Sequence, residues 1–259
     1  MMVPAMESAR LKLGRAAHHL DTLQSALSDF VQPGPYTLRP DWDYTPGEQV
    51  FTCTLVVDSA VELPEEFSLI TGDYLTNLRA ALDHSIFDHV RARCPNLSET
   101  QISFPIVTSP ARLNNAGAQF DTAVLAVITA NQPYQASSYQ EDPLWRLNAL
   151  VNRDKHRYLL ATNSVRLMID IQPDPRYELI KGGESYNGSE LTVGTRVCML
   201  RFRHKADPSL HPADFVAMAV GFPISIDLPD GIPEPIIETL RPMQERVTDI
   251  LDQLEQAGI

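Results

Sequence analysis

Two short stretches concentrate the side chains able to do chemistry. The first is "LRAALDHSIF", 78–87, which carries Arg79, Asp83 and His84. The second is "NALVNRDKHRYLL", 148–160, which carries Asp154, Lys155 and His156. At about 100° per residue, Arg79 and Asp83 are neighbours on one helical flank. In the second stretch Leu147, Val151 and Tyr158 share a stripe that also takes in Asp154 and Lys155. Burying an unpaired charge is costly, so charges on apolar stripes must be paired. The spacing therefore predicts that Asp83 and Asp154 are largely buried and that each touches a cation. It predicts one cluster of Arg79, Asp83, Asp154, Lys155 and His156 between two helices. Two readings of that cluster stay open: an ion network that locks the helices in register, or a polar site between them.

The remaining candidates are weaker. His18 and His19 are read as a solvated flank of the first helix. His204 and His211 lie near Asp207 and Asp214, but that spacing matches no common metal site. No GxGxxG, Walker A, HExxH or GxSxG sequence occurs, so no cofactor or metal is expected. Cys53, Cys94 and Cys198 are sparse and odd in number, which suggests reduced thiols in a cytoplasmic protein. The formal net charge of −12 repels phosphate backbones and anionic lipid alike. There is no signal-peptide pattern and no apolar run long enough to span a membrane.

The elements that must position these residues can be read from periodicity. Apolar residues stepping by threes and fours predict helices over about 6–31, 65–93, 119–131, 143–158 and 234–256. Pro242 is expected to kink the last of these. Strands are predicted over about 35–58 and 160–228, with "YNG" at 186–188 as a hairpin tip. With 259 residues and 44% hydrophobic content, the chain reads as one domain, 1–259. The fold class is α+β: a bundle of four to five helices packed with a mostly antiparallel β-sheet. The first and last helices carry matching stripes and are expected to pack antiparallel.

"LRAALDHSIF" and "LNALVNRDKHRYLL", with "ISFPI" and "NQPY" between them, resemble a widespread family of uncharacterised bacterial proteins with LRxALDH and NxDKHR helices. The resemblance covers about residues 66–160 and the "GRAAHHL" helix, and it implies a bacterial source without an activity. A more distant similarity is to HEPN domains, helical bundles that act as metal-independent ribonucleases. Their Arg–x4–6–His signature is matched by Arg79 and His84. This resemblance implies that Arg79 stabilises charge on the reacting phosphate and His84 moves a proton at a ribose 2′-OH. It would make RNA the partner, with the site completed in a homodimer. The other classes are a non-catalytic interaction protein, in which Arg79, Asp83, Asp154 and Lys155 are a structural lock, and a small-molecule binding domain.

Overall fold

The computed structural model describes residues 4–114, 116–156, 161–165, 168–172, 174–180, 191–205, 211, 217–221, 224–229, 231 and 233–259, with backbone alone at 155–156, 161–165, 168–172 and 217–221. The fold is α+β, as the sequence pattern predicts.

Helix α1 (Ala5–Val31) buries Ala9, Ala16, Leu20, Leu23 and Leu27 on one stripe. His19 falls on the same stripe and is buried, so it is not the solvated residue expected of that position. Its place three after Ala16 and four before Leu23 puts it on the packed face. The first turn has no cap of its own. Asp88, from another element, accepts the Ala5 N–H at 2.9 Å and so supplies an acceptor for an otherwise orphaned donor.

Helix α2 (Glu65–Ser85) follows Pro64, with two acids in its first turn, both favourable at a helix N-terminus. The predicted helix over 65–93 is broken at Ile86, where φ is −100° and ψ is −6°. The Ser85 hydroxyl donates to the Leu82 carbonyl at 2.8 Å, and that carbonyl is the one the Ile86 N–H would use in a continued helix. The chain restarts as α3 (Phe87–Arg93). Then come α4 (Pro110–Asn114), α5 (Thr122–Ala130) and α6 (Pro143–His156). The buried Asp142 caps α6, accepting from Leu144 N at 2.9 Å.

Helix α7 (Ile236–Gln256) closes the chain. It runs antiparallel to α1: Arg10 pairs with Asp252 and Glu255, while Arg241 donates to Gln24. Helices α1 and α2 are also antiparallel, with Ser8 opposite His84 and the Phe30 ring edge-on to Phe67 at 5.6 Å. Pro242 sits inside α7. One turn around it, the buried Tyr74 hydroxyl donates to the Leu240 carbonyl at 2.7 Å and accepts from the Gln244 N–H. Burial drives the Tyr74 pKa upward.

Strands β1 (Tyr36–Thr45), β2 (Val50–Ala60), β5 (Tyr177–Ile180) and β6 (Arg196–His204) form an antiparallel sheet in the order β1-β2-β6-β5. Its register places Tyr44, Phe51 and Phe202 side by side on one face, with Trp42, Cys53 and Leu200 one pair along. That face joins the hydrophobic core shared with the helices. The other face carries Arg201, Arg203 and Glu178 and is solvated. The other described strands form two smaller antiparallel sheets. One is β3-β8-β9 (Ala161–Val165, Ile224–Asp227, Pro233–Pro235) and the other β4-β7 (Met168–Gln172, Ala217–Gly221). The predicted "YNG" tip lies outside the described residues.

Candidate functional site

Arg79 and Asp83 form the two-pronged pair that their spacing predicts. Arg79 Nε and Nη2 donate to the two Asp83 oxygens at 3.2 and 2.9 Å. Their side chains are 14% and 30% exposed, so the guanidinium is mostly desolvated and the carboxylate half-buried. Both residues have a further partner, the backbone of Phe104. Arg79 Nη2 donates to the Phe104 carbonyl at 2.8 Å. Asp83 Oδ1 accepts from the Phe104 N–H at 2.8 Å. Arg79 Nη1 is buried and has no hydrogen-bond partner.

A second residue continues this arrangement. Gln132, fully buried at the end of α5, accepts from Val107 N at 2.9 Å and donates to the Pro105 carbonyl at 2.8 Å. Segment 102–107 is in neither helix nor strand, yet it is anchored by the buried Ile102 and Phe104. Buried main-chain polar groups must be satisfied, and here side chains from two helices do it. Pro105 has no N–H to satisfy. Neighbouring Asn131 ties α5 to α7, donating to Gln253 Oε1 at 2.8 Å.

His84 belongs to another interface. Its Nδ1 lies 2.8 Å from the Ser8 hydroxyl of α1. Arg79 and His84 are five residues apart, so they diverge by about 140° around α2, one toward Phe104 and the other toward α1. The described contacts do not bring them together.

Asp154 lies elsewhere again. It is half-buried and is itself engaged in a polar contact. Its carboxylate sits against Gly72 of α2: a Cβ on Gly72 would be 2.9 Å from Oδ1 and 3.0 Å from Oδ2. Gly72 and Asp83 are separated by about 16 Å along the helix axis. The predicted cluster is thus divided between two levels of α2. The side chains of Lys155 and His156 lie outside the described residues. The same helix makes other ties: Arg146 holds Glu234 of β9 through two bonds of 3.0 and 3.1 Å, and Arg153 donates to the Asp227 carbonyl of β8 at 3.0 Å.

Of the other histidines, His204 stacks edge-on to Tyr177, and His211 edge-on to Trp42 and Phe51. Asp207 and Asp214 lie outside the described residues. Among the described residues no group of three His, Cys, Asp or Glu could hold a metal ion, and no helix is long and apolar enough to cross a membrane. The thiols of Cys53 and Cys198 are buried and their pKa values raised by desolvation, that of Cys53 to about 12. Comparison of the chain with protein-family models, with curated proteins and with solved structures finds no match.

Sequence reasoning singled out Arg79 and Asp83 but missed Phe104, whose backbone they hold, and Gln132, which holds Pro105 and Val107 of the same segment. The available signal was a glutamine directly before a proline at the end of an apolar helix. The contacts themselves leave no side-chain pattern, because what is held is main chain.

Proposed function

We propose that this chain is a non-catalytic interaction protein in which the Arg79–Asp83 pair is a structural lock. The observation that carries this reading is the use made of both side chains. Arg79 Nε and Nη2 and both Asp83 oxygens are engaged with each other and with the Phe104 backbone, and His84 is turned to Ser8 on a different face. A ribonuclease of the HEPN type needs a cation and a proton-transfer group converging on one phosphate. A guanidinium 14% exposed and fastened to its own chain offers little to a substrate. The net charge of −12 disfavours RNA and favours a protein partner that carries basic residues. On this reading the protein works in the bacterial cytoplasm.

The test incubates purified protein at micromolar concentration with tRNA and single-stranded RNA, with and without EDTA, beside Arg79→Ala and His84→Ala. The lock reading expects no cleavage by any of the three. It expects Arg79→Ala to lower the melting temperature well beyond His84→Ala. EDTA-insensitive cleavage by the wild type that both substitutions reduce by about 10²-fold or more, with the fold intact, would overturn it in favour of the nuclease.

A further inference from the structure

Two hydrogen bonds meet at Asp121, at the N-terminus of α5. Asp121 is its N-cap: Oδ1 accepts from Val124 N at 2.9 Å. The backbone N–H of Asp121 itself donates to Nε2 of His89, at 3.3 Å, from α3. Nε2 is the acceptor in this bond, which requires that it carry no proton while the bond is made. The ring is 14% exposed and stacks on Phe120, with an interplanar angle of 12°. The second Asp121 oxygen, Oδ2, waits 3.8 Å from the same Nε2. The Val124 N–H is the largest influence holding the Asp121 carboxyl below its ordinary range, and His89 acts in the same direction.

We infer that His89 is an acid-sensitive latch on α5: protonation of Nε2 breaks its bond to the Asp121 N–H and draws the Asp121 carboxylate out of its capping position. The proton comes from solvent. The imidazolium becomes a donor facing an N–H, with Oδ2 of the carboxylate that caps the helix 3.8 Å away. The other charged groups around α3 are committed or leave this balance in place. Asp88 accepts from Ala5 of α1, Arg91 pairs with Glu99, and Asp83 of α2 is held by Arg79. Arg93, one turn beyond His89, adds positive charge near Asp121. Helix α5 has no charged side chain of its own. Histidine is the side chain whose ordinary titration falls between about pH 5 and 8. The effect is transmitted because the two residues that follow α5, Asn131 and Gln132, hold α7 and segment 105–107.

Amide spectra of the full chain, recorded between pH 8 and pH 5, test this. The Asp121 and Val124 amides should shift together with the His89 ring nitrogens, and exchange at Val124 should rise several-fold at the acid end. In His89→Gln, whose side-chain oxygen can accept the same bond without titrating, both amides should stay fixed. Amides that do not move in the wild type, or that move equally in His89→Gln, overturn the latch. Should that variant be poorly folded, the wild-type ring decides: a ring proton on Nε2 rather than Nδ1 at pH 8 also overturns it.

Discussion

Removing the Asp83 carboxylate should unfasten the segment around Phe104, and the size of the loss can be worked from the contacts. In Asp83→Ala the Phe104 N–H loses its acceptor in a segment whose ring is 1% exposed. An unsatisfied buried donor costs about 1–3 kcal/mol. Arg79 simultaneously loses its counter-charge. Breaking a fully buried pair costs about 3–5 kcal/mol, but with Asp83 30% exposed water restores part of that. The two losses overlap, because a freed Arg79 can still hold the Phe104 carbonyl. Together they give about 3 kcal/mol, which for a chain of this length lowers the melting temperature by about 6–12 °C. Asp83→Asn separates the parts. Its amide oxygen still accepts from Phe104 N while the charge is gone, so it should cost about half as much. Denaturant unfolding of the two single variants, Arg79→Ala and the double variant completes a cycle, in which the pair should couple by more than about 1 kcal/mol. A loss below about 1 kcal/mol in Asp83→Ala, or an equal loss in Asp83→Asn, would refute the lock.

Two further outcomes follow from the packing. Gly→Ala in a helix interior ordinarily stabilises by about 1 kcal/mol, but at Gly72 the new Cβ would meet the Asp154 carboxylate. Gly72→Ala should therefore gain nothing in the wild type and about 1 kcal/mol in an Asp154→Ala background, and equal gains in both would show that the close approach is immaterial. Burial, aided by Arg15 and opposed by Asp73, lowers the His19 pKa below its ordinary 6.5. A depressed folded pKa contributes stability that is present above the unfolded value and lost as pH falls through the folded one. Melting temperatures between about pH 7.5 and 5.5, bracketing the ordinary histidine value, should thus fall less in His19→Gln than in the wild type, and identical slopes would contradict this.

The helices were legible because their stripes are long and the apolar residues fall every third or fourth position, as in α1 and α7. The break at Ile86 was not. Ile86 continues the apolar pattern, and its turn to φ −100° and ψ −6° is a local change that periodicity does not register. The pairing of Arg79 with Asp83 was legible for the opposite reason, since it lies within one helix. Its relation to Asp154 was not, because periodicity gives an angle around each helix but not which levels of two helices face each other. His19 shows a similar limit. A histidine beside another histidine reads as polar surface until the stripe through Ala16 and Leu23 is followed strictly.

Segment 102–107 is held through its main chain by side chains of two helices, and this sets which changes it can absorb. The bonds from Arg79, Asp83 and Gln132 do not depend on what side chain Ser103 or Ile106 carries. Ser103, which is exposed, can be replaced freely, whereas Ile106 packs against the core beside Ile102 and Phe104 and has to stay apolar. Length is another matter. Phe104 and Val107 must meet fixed partners three positions apart, so a residue inserted or deleted between them would put either the Arg79–Asp83 bonds or the Gln132 bonds out of register. The stretch should therefore keep its residue count constant among descendants of this sequence even where an exposed position such as Ser103 varies, the reverse of what surface loops ordinarily do.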